Sequence, residues 1–197
     1  MLAHGVKIAM QIEEISKVFI STDSTEIANV GKSYGAEIIT RPDHLASDTA
    51  PEWLAWQHAI DHARSEHGNF DRFLSLPPTA PCRCITDVQR CLNALTSNVD
   101  LVLTTTPSQR SPWFNMVTKN ANELLELVND GNSIKRRQDA PQCFDITTVL
   151  YIVKFKFILK CSNLYQTKNM SYILVPKKRS IDIDTKFDYD LVRSITK

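Results

Sequence analysis

The sequence has few glycines and cysteines, no long apolar run and almost no net charge. Five glycines and nine prolines in 197 residues exclude a collagen-like or low-complexity chain. A net charge of +1 excludes the broad basic field of a general nucleic-acid binder. The longest apolar candidate, residues 149–153, is far shorter than the roughly 20 residues of a membrane-spanning helix. We therefore expect neither nucleic acid nor a membrane as a partner.

The cysteines and the N-terminus suggest a cellular compartment. Five cysteines form an odd number, and residues 1–7 lack the arrangement of a signal peptide. Free thiols are typical of reducing compartments, so we expect a cytoplasmic protein. Cys91 shares helical spacing with Val88, Leu92 and Leu95 and is predicted to be a small core residue.

The alternation of strands and helices indicates the fold class. A chain with 43 % hydrophobic and 23 % charged residues predicts one globular domain over residues 1–197. Strand–helix–strand units of this length predict right-handed crossovers and a mostly parallel sheet covered by helices on both faces, an α/β fold. The predicted strands are 17–21, 36–40, 72–76, 100–105, 147–153 and 172–175, and the predicted helices are 24–34, 51–67, 86–96 and 188–195.

Residues 107–145 interrupt this alternation. They are polar and rich in turn signals, which predicts an arm protruding from the single domain. In an open parallel sheet, ligands bind outside the carboxyl ends of the strands. The candidate functional residues are therefore those in the loops that follow the strands.

Asp182 and Asp184 are the first candidate pair. In extended backbone, alternate side chains share one face, so both carboxylates point the same way. Mg²⁺ is a hard cation held by one or two carboxylates together with substrate phosphates. The alternative is the solvated edge of a strand, since a D-x-D pattern is common.

Arginine-containing loops provide further candidates. Arg137 and Gln138 follow Arg136, and the planar guanidinium suits a phosphate or carboxylate. The alternative is an exposed charged turn. Three prolines stiffen the loop at 76–83, which predicts that Thr79 and Arg83 are presented to the ligand crevice; the alternative is a rigid structural turn.

Two other features are open to a functional or a structural interpretation. Arg41-Pro42, followed by residues 48–50, forms a loop of the same crevice or a polar connection that caps the next helix. His58 and His62 have metal-ligand spacing, but no H-E-x-x-H pattern or third ligand accompanies them, and we interpret them as a wet helix face. Trp53 and Trp56 are interpreted as packing residues.

Taken in order, these loops resemble those of the acylneuraminate cytidylyltransferases, or CMP-sialic acid synthetases. The similarity extends from about residue 2 to the end of the sequence. The segments that carry it are Val18-Phe19-Ile20-Ser21-Thr22-Asp23, Arg41-Pro42 with Leu45-Ala46-Ser47-Asp48-Thr49, Pro78-Thr79-Ala80-Pro81-Cys82-Arg83, Arg136-Arg137-Gln138-Asp139-Ala140-Pro141 and Arg179-Ser180-Ile181-Asp182-Ile183-Asp184.

The resemblance implies a Rossmann-like, three-layer nucleotidyltransferase domain whose small arm pairs two subunits into a homodimer. The implied reaction joins CTP to a nine-carbon acidic sugar and releases pyrophosphate. It further implies that Asp182 and Asp184 hold catalytic Mg²⁺ and that Arg41 and the Ala50 backbone lie near the cytosine. By the same resemblance, Thr79, Arg83, Arg137 and Gln138 lie near the sugar, with Arg137 as a catalytic group.

The sequence also departs from the family pattern. Members begin with a strand and a glycine-, arginine- and lysine-bearing loop that cradles the triphosphate, whereas this sequence begins within the following helix. We therefore expect weak or absent activity and two unpaired strand edges beside residues 17–21. Pro77 replaces a usual glutamine, Thr147-Thr148 a usual Asn-Gly, and Glu52 a serine common near the base. These changes are typical of a variant branch with a legionaminic- or pseudaminic-type sugar.

Two other functions remain open. One is a catalytically inactive remnant that survives as a dimerising or binding domain. The other is a sugar-1-phosphate nucleotidyltransferase or a glycosyltransferase on a similar fold. Those enzymes usually carry their metal carboxylates earlier in the chain, which disfavours this second alternative.

Overall fold

The structure is a computed structural model that describes residues 1–196. Helices and strands alternate through the first half, as the sequence predicts. The six α-helices of residues 1–196 are α1 (Leu2–Ala9), α2 (Thr25–Ser33), α3 (Glu52–His67), α4 (Ile85–Ala94), α5 (Phe155–Lys160) and α6 (Lys186–Ile195). The eight strands of the same residues are β1 (Phe19–Thr22), β2 (Glu37–Thr40), β3 (Arg72–Ser75), β4 (Leu101–Pro107), β5 (Val117–Lys119), β6 (Leu125–Leu127), β7 (Phe144–Lys154) and β8 (Met170–Leu174).

Local capping explains where the helices begin. The Ser24 hydroxyl accepts a hydrogen bond from the Ile27 amide at 3.3 Å and starts α2. At α6 the Thr185 hydroxyl and the Asp188 carboxylate bond to each other's backbone amide, which forms a capping box. Helix α3 follows Pro51 and ends at Gly68, whose φ of +80° favours glycine. Because such caps are visible in the sequence, the predicted helices begin and end within a few residues of the observed ones. Helix α5 is not predicted.

The strands form two main sheets and a small hairpin. Strands β1 and β2 pair in parallel, and the larger sheet has the order β3-β7-β4-β8. Within it β4 and β8 are parallel, while β7 runs antiparallel to both of its neighbours, β3 and β4. The predicted α/β fold is confirmed, with β7 as the strand of opposite direction.

A cavity of about 740 Å³ separates the two main sheets. Within residues 1–196, β1 pairs only with β2, and β3 pairs only with β7. All residues of β1 and β3 line this cavity, which is also bordered by Val6 of α1 and Trp56 and Ile60 of α3. The two unpaired strand edges expected beside residues 17–21 are therefore present.

The larger sheet is covered on both faces. Strand β4 alternates, since Val102 packs in one cluster and Leu101 and Leu103 pack in the other. The first cluster includes Val88, Cys91 and Leu92 of α4, and the second includes Trp53, Trp56 and Ile60 of α3. The predicted packing roles of the two tryptophans and of Cys91 are confirmed. Burial raises the pKa of the Cys91 thiol to about 12, so it is not a reactive thiolate near neutral pH.

Helix α2 contacts the smaller sheet at very close range. A Cβ atom on Gly31 would lie 2.8 Å from Cγ1 of Ile20, so only glycine lets the helix approach β1 this closely. An apolar stripe formed by Ile27 and Val30 of the same helix and by Tyr34 at its C-cap is 40–45 % exposed. This stripe therefore lies outside the core.

The segment between β4 and β7, residues 108–143, lies outside the main sheet. It contains the antiparallel hairpin β5–β6 and a short 3₁₀ turn, Arg137–Asp139. All six hairpin strand residues are exposed.

Within residues 1–196, none of the helices combines the length and apolar character that a bilayer crossing requires.

Candidate functional site

The Asp182–Asp184 segment lies directly beside the proline-rich loop. After β8 the chain makes a 3₁₀ turn, Lys177–Arg179, and then runs without regular structure towards α6. The backbone amide of Ile183 donates a hydrogen bond to the carbonyl oxygen of Thr79 at 2.9 Å. Two motifs that are about a hundred residues apart in sequence therefore meet in the fold.

A second contact fixes the start of the same segment. Arg179 donates hydrogen bonds of 3.0 and 2.9 Å to the two carboxylate oxygens of Asp87, which is fully buried. Asp87 also accepts from the backbone amide of Cys84 at 3.1 Å, which caps α4. The hydrogen-bonded carboxylate raises the pKa of Arg179. The turn after β8 is thus tied to the first turn of α4.

The two candidate metal carboxylates differ in their surroundings. Asp182 is half-buried, and its Oδ1 atom is buried without a hydrogen-bond partner, whereas Asp184 is exposed. Within the described chain no group of three or more His, Cys, Asp or Glu side chains could hold a metal ion. A site completed by substrate phosphates needs only one or two carboxylates, so the oxygen donors of Asp182 and Asp184 are of the kind that Mg²⁺ takes. An unpartnered carboxylate oxygen is suited to such an ion.

Arg83 is placed beneath the proline-rich loop and not on its surface. Its residue is only 3 % exposed, and its guanidinium donates to the carbonyls of Pro77 and, at 3.4 Å, of Thr148. Burial lowers the pKa of Arg83 to about 10, opposed by the nearby charges of Asp182 and Asp87. Its hydrogen bonds therefore brace the loop against β7. The sequence predicted instead that this side chain faces the ligand crevice.

Arg41 and Ala50 line the large cavity where β1 and β2 end. The guanidinium of Arg41 donates to the hydroxyl of Ser21 at 3.2 Å and to its carbonyl at 2.6 Å. Pro77 and Pro78 of the proline-rich loop border the same cavity. The structure therefore brings Arg41, Pro77 and Pro78 to one cavity, whereas Thr79 and Arg83, which were predicted to face the ligand crevice, line neither this cavity nor the smaller one.

Arg137 and Gln138 line a separate cavity of about 380 Å³ at the end of β4. Arg137 donates to the carbonyl of Ser108 at 3.5 Å. Its neighbour Arg136 makes two hydrogen bonds, of 3.0 and 2.8 Å, to Asp139 within the same turn. All four residues 136–139 are exposed, as the charged-turn alternative expects, and Arg137 and Gln138 also line the smaller cavity.

Some candidates have no further support, and one important pair is missed. His58 and His62 belong to no metal-binding group within residues 1–196, and the five cysteines are all free.

The ion pair between Arg179 and Asp87 is missed because no sequence pattern links these two residues. Only the acidic residue at the third position of α4, typical of a capped helix, singles out Asp87.

The fold and these strand-end loops define the class of protein. A solved structure of CMP:2-keto-3-deoxy-manno-octonic acid synthetase complexed with CTP has a TM-score of 0.66, at 14 % identity, over 99 % of this chain and 86 % of its own. The fold is the Rossmann-like nucleotidyltransferase fold. The chain belongs to the cytidylyltransferase family, whose model matches residues 1–122.

Two relatives match over nearly the whole chain. The post-translational flagellin modification protein B of Campylobacter coli is 29 % identical over 100 % of this chain and 84 % of its own length. The CMP-N,N'-diacetyllegionaminic acid synthase of Campylobacter jejuni is also 29 % identical, over 98 % of this chain and 82 % of its own. The resemblance found in the sequence motifs is therefore confirmed at the level of the family.

Proposed function

We propose that the protein transfers CMP from CTP to a nine-carbon acidic sugar and releases pyrophosphate. The observation that carries this proposal is the hydrogen bond from Ile183 to Thr79, which holds two carboxylates beside a loop that borders the large cavity. A family of cytidylyltransferases supplies the reaction class.

The chemistry requires charge neutralisation around the phosphates. The sugar's anomeric hydroxyl attacks the α-phosphorus of CTP in line, and the leaving group is pyrophosphate. Asp182 and Asp184 are proposed to hold Mg²⁺, which when bound supplies positive charge against the phosphate oxygens. The buried, unpartnered Oδ1 of Asp182 supports this role. Because the Thr79 and Asp87 contacts fix the backbone on both sides of Asp182, little reorganisation is needed when the phosphates bind.

The remaining residues are assigned from the two cavities and from the family resemblance. Arg41 and the Ala50 backbone are proposed to bind the cytosine, since both line the large cavity. Thr79, Arg137 and Gln138 are proposed to contact the sugar, with Arg137 as the catalytic carboxylate clamp, because a guanidinium binds a carboxylate through two bonds. Arg83 is proposed to act on the sugar side through the loop that it braces. The sugar is of the sialic, legionaminic or pseudaminic type, and the relative named for diacetyllegionaminic acid favours testing that sugar first.

A homodimer and a cytoplasmic location complete the proposal. The arm exposes a group of large apolar side chains that a second copy would cover: Phe114, Met116, Val117, Leu124, Leu125, Leu127 and Val128. Free cysteines support a reducing compartment.

The test is pyrophosphate release by the 197-residue chain with CTP, Mg²⁺ and each of the three sugars. Release that requires the sugar and stops when the metal is chelated supports the proposal, and normal turnover contradicts the weak or absent activity expected from the sequence. CTP binding without release, measured by calorimetry, would instead indicate the inactive binding domain. Release with a sugar 1-phosphate and not with an acidic sugar would contradict the proposed acceptor.

A further inference from the structure

Glu52 occupies a distinctive place on the wall of the large cavity. It is the first residue of α3, and it lines the cavity together with Arg41 and Ala50. Its Oε1 atom accepts a hydrogen bond from the indole nitrogen of Trp56 at 3.2 Å. Trp56 is only 6 % exposed, and its ring packs against Tyr151 at a centroid distance of 5.5 Å. A core residue therefore restrains a carboxylate that is open to the cavity.

Glu52 gives this wall a hydrogen-bond acceptor, and Arg41 gives it a donor. Partial desolvation raises the pKa of the Glu52 carboxyl, opposed by the Trp56 hydrogen bond and by the charge of Arg41. Arg41 is itself held in place by two hydrogen bonds to Ser21. The wall thus presents an anchored carboxylate and an anchored guanidinium to the same cavity.

Cytosine and uracil differ at the edge of the ring that such a wall would contact. Cytosine carries an amino group, a donor, at C4 and acceptors at N3 and O2, whereas uracil carries a carbonyl at C4 and an N–H at N3. A carboxylate accepts from the cytosine amino group, and the same carboxylate repels the uracil carbonyl. A guanidinium donates to the remaining acceptors of cytosine.

We propose that Glu52 is a specificity-determining residue that accepts a hydrogen bond from the cytosine amino group and thereby selects CTP over UTP. This inference rests on the proposed function, because it requires the base to lie in the large cavity. Glu52 thus discriminates by two effects: it offers an acceptor to the cytosine amino group and an unfavourable charge to the uracil carbonyl.

The experiment compares kcat/KM for CTP and UTP in the unmodified chain and in Glu52→Gln. The glutamine amide offers either an acceptor or a donor, so we expect the CTP-to-UTP ratio to fall about tenfold or more, mainly through improved use of UTP. The matched control is Glu66→Gln, an exposed residue of the same helix, which should leave the ratio unchanged. An unchanged ratio in Glu52→Gln with full CTP turnover overturns this inference alone.

A binding measurement keeps the inference separate from turnover. Tryptophan fluorescence reports CTP and UTP binding, because Trp56 lines the cavity. If the chain binds CTP without releasing pyrophosphate, the proposed activity fails, and the ratio of the two dissociation constants in Glu52→Gln still decides the role of Glu52. Equal binding of CTP and UTP by the unmodified chain overturns that role. Binding of neither nucleotide overturns both proposals.

Discussion

Arg179 makes two hydrogen bonds to the buried carboxylate of Asp87, a residue 92 positions earlier in the chain. Because Asp87 also caps α4, one carboxylate secures the helix start and the turn that leads to Asp182. Ile183 is held in turn by the carbonyl of Thr79. The candidate metal-binding segment is therefore fixed by contacts on both sides of Asp182.

Replacing one partner of the buried ion pair should destabilise the protein. Asp87→Asn leaves Arg179 facing a neutral group and weakens the cap of α4, so we expect the free energy of unfolding to fall by about 2–3 kcal/mol. Urea denaturation measures this loss. The exposed Lys186–Asp190 pair provides the matched control, since Asp190→Asn should change stability very little. Equal losses in the two variants would contradict the special role of Asp87.

Removing either candidate metal carboxylate should abolish most of the catalysis. Asp182→Asn or Asp184→Asn is expected to lower kcat by orders of magnitude while the fold stays intact, because the loss concerns charge stabilisation at the phosphates. Pyrophosphate release at several Mg²⁺ concentrations measures the effect. The control is Asp61→Asn, an exposed carboxylate on α3. A normal rate in either site variant argues against the metal assignment.

Two glycine-to-alanine changes in helices should have opposite effects. At Gly31 the new Cβ would lie 2.8 Å from Ile20, so Gly31→Ala should cost about 1–3 kcal/mol by pushing α2 away from β1. At Gly5 the nearest atom lies at 3.4 Å, so Gly5→Ala should stabilise α1 by about 0.5–1 kcal/mol. Thermal unfolding of both variants provides the comparison. Stabilisation by Gly31→Ala would show that the close packing is not restrictive.

Tyr151 should ionise at a higher pH than an ordinary tyrosine. Burial, followed by the negative charges of Glu52, Tyr165 and Asp182, raises the pKa of Tyr151 from its ordinary value of 10.0 to about 12. Between pH 10 and 12 the unfolded chain loses this proton while the folded chain keeps it, so stability should fall as pH rises through that window. Tyrosinate absorbance, measured as the pH is raised, follows this ionisation step near pH 12. That step should vanish in Tyr151→Phe and persist in Tyr189→Phe.

A charge on the arm should prevent subunit pairing. Leu125 is 69 % exposed, and Leu125→Lys should shift sedimentation from dimer towards monomer if a second copy covers the hairpin. Tyr165, which is 70 % exposed and lies outside the arm, provides the control substitution Tyr165→Lys. A dimer that persists in Leu125→Lys, or a monomer in the unmodified chain, contradicts the proposed interface.

Local sequence patterns predict most of the secondary structure. The strand that ends at Thr22 and the helix from Glu52 to His67 are predicted because caps, prolines and apolar periodicity act over a few residues. The short helix α5 is missed because its apolar residues, Phe155 and Ile158, follow β7 without a turn signal. Periodicity alone does not separate such a short run from a strand.

The sequence by itself determined the α/β alternation, the order of the strand-end loops and the family to which they belong, because each depends on local chemistry along the chain. Only the tertiary structure placed Arg83 beneath its loop and joined Arg179 to Asp87. Those features depend on which distant segments meet. Long-range hydrogen bonds and the burial of single charged side chains decide such meetings, and neither leaves a periodic trace in the sequence.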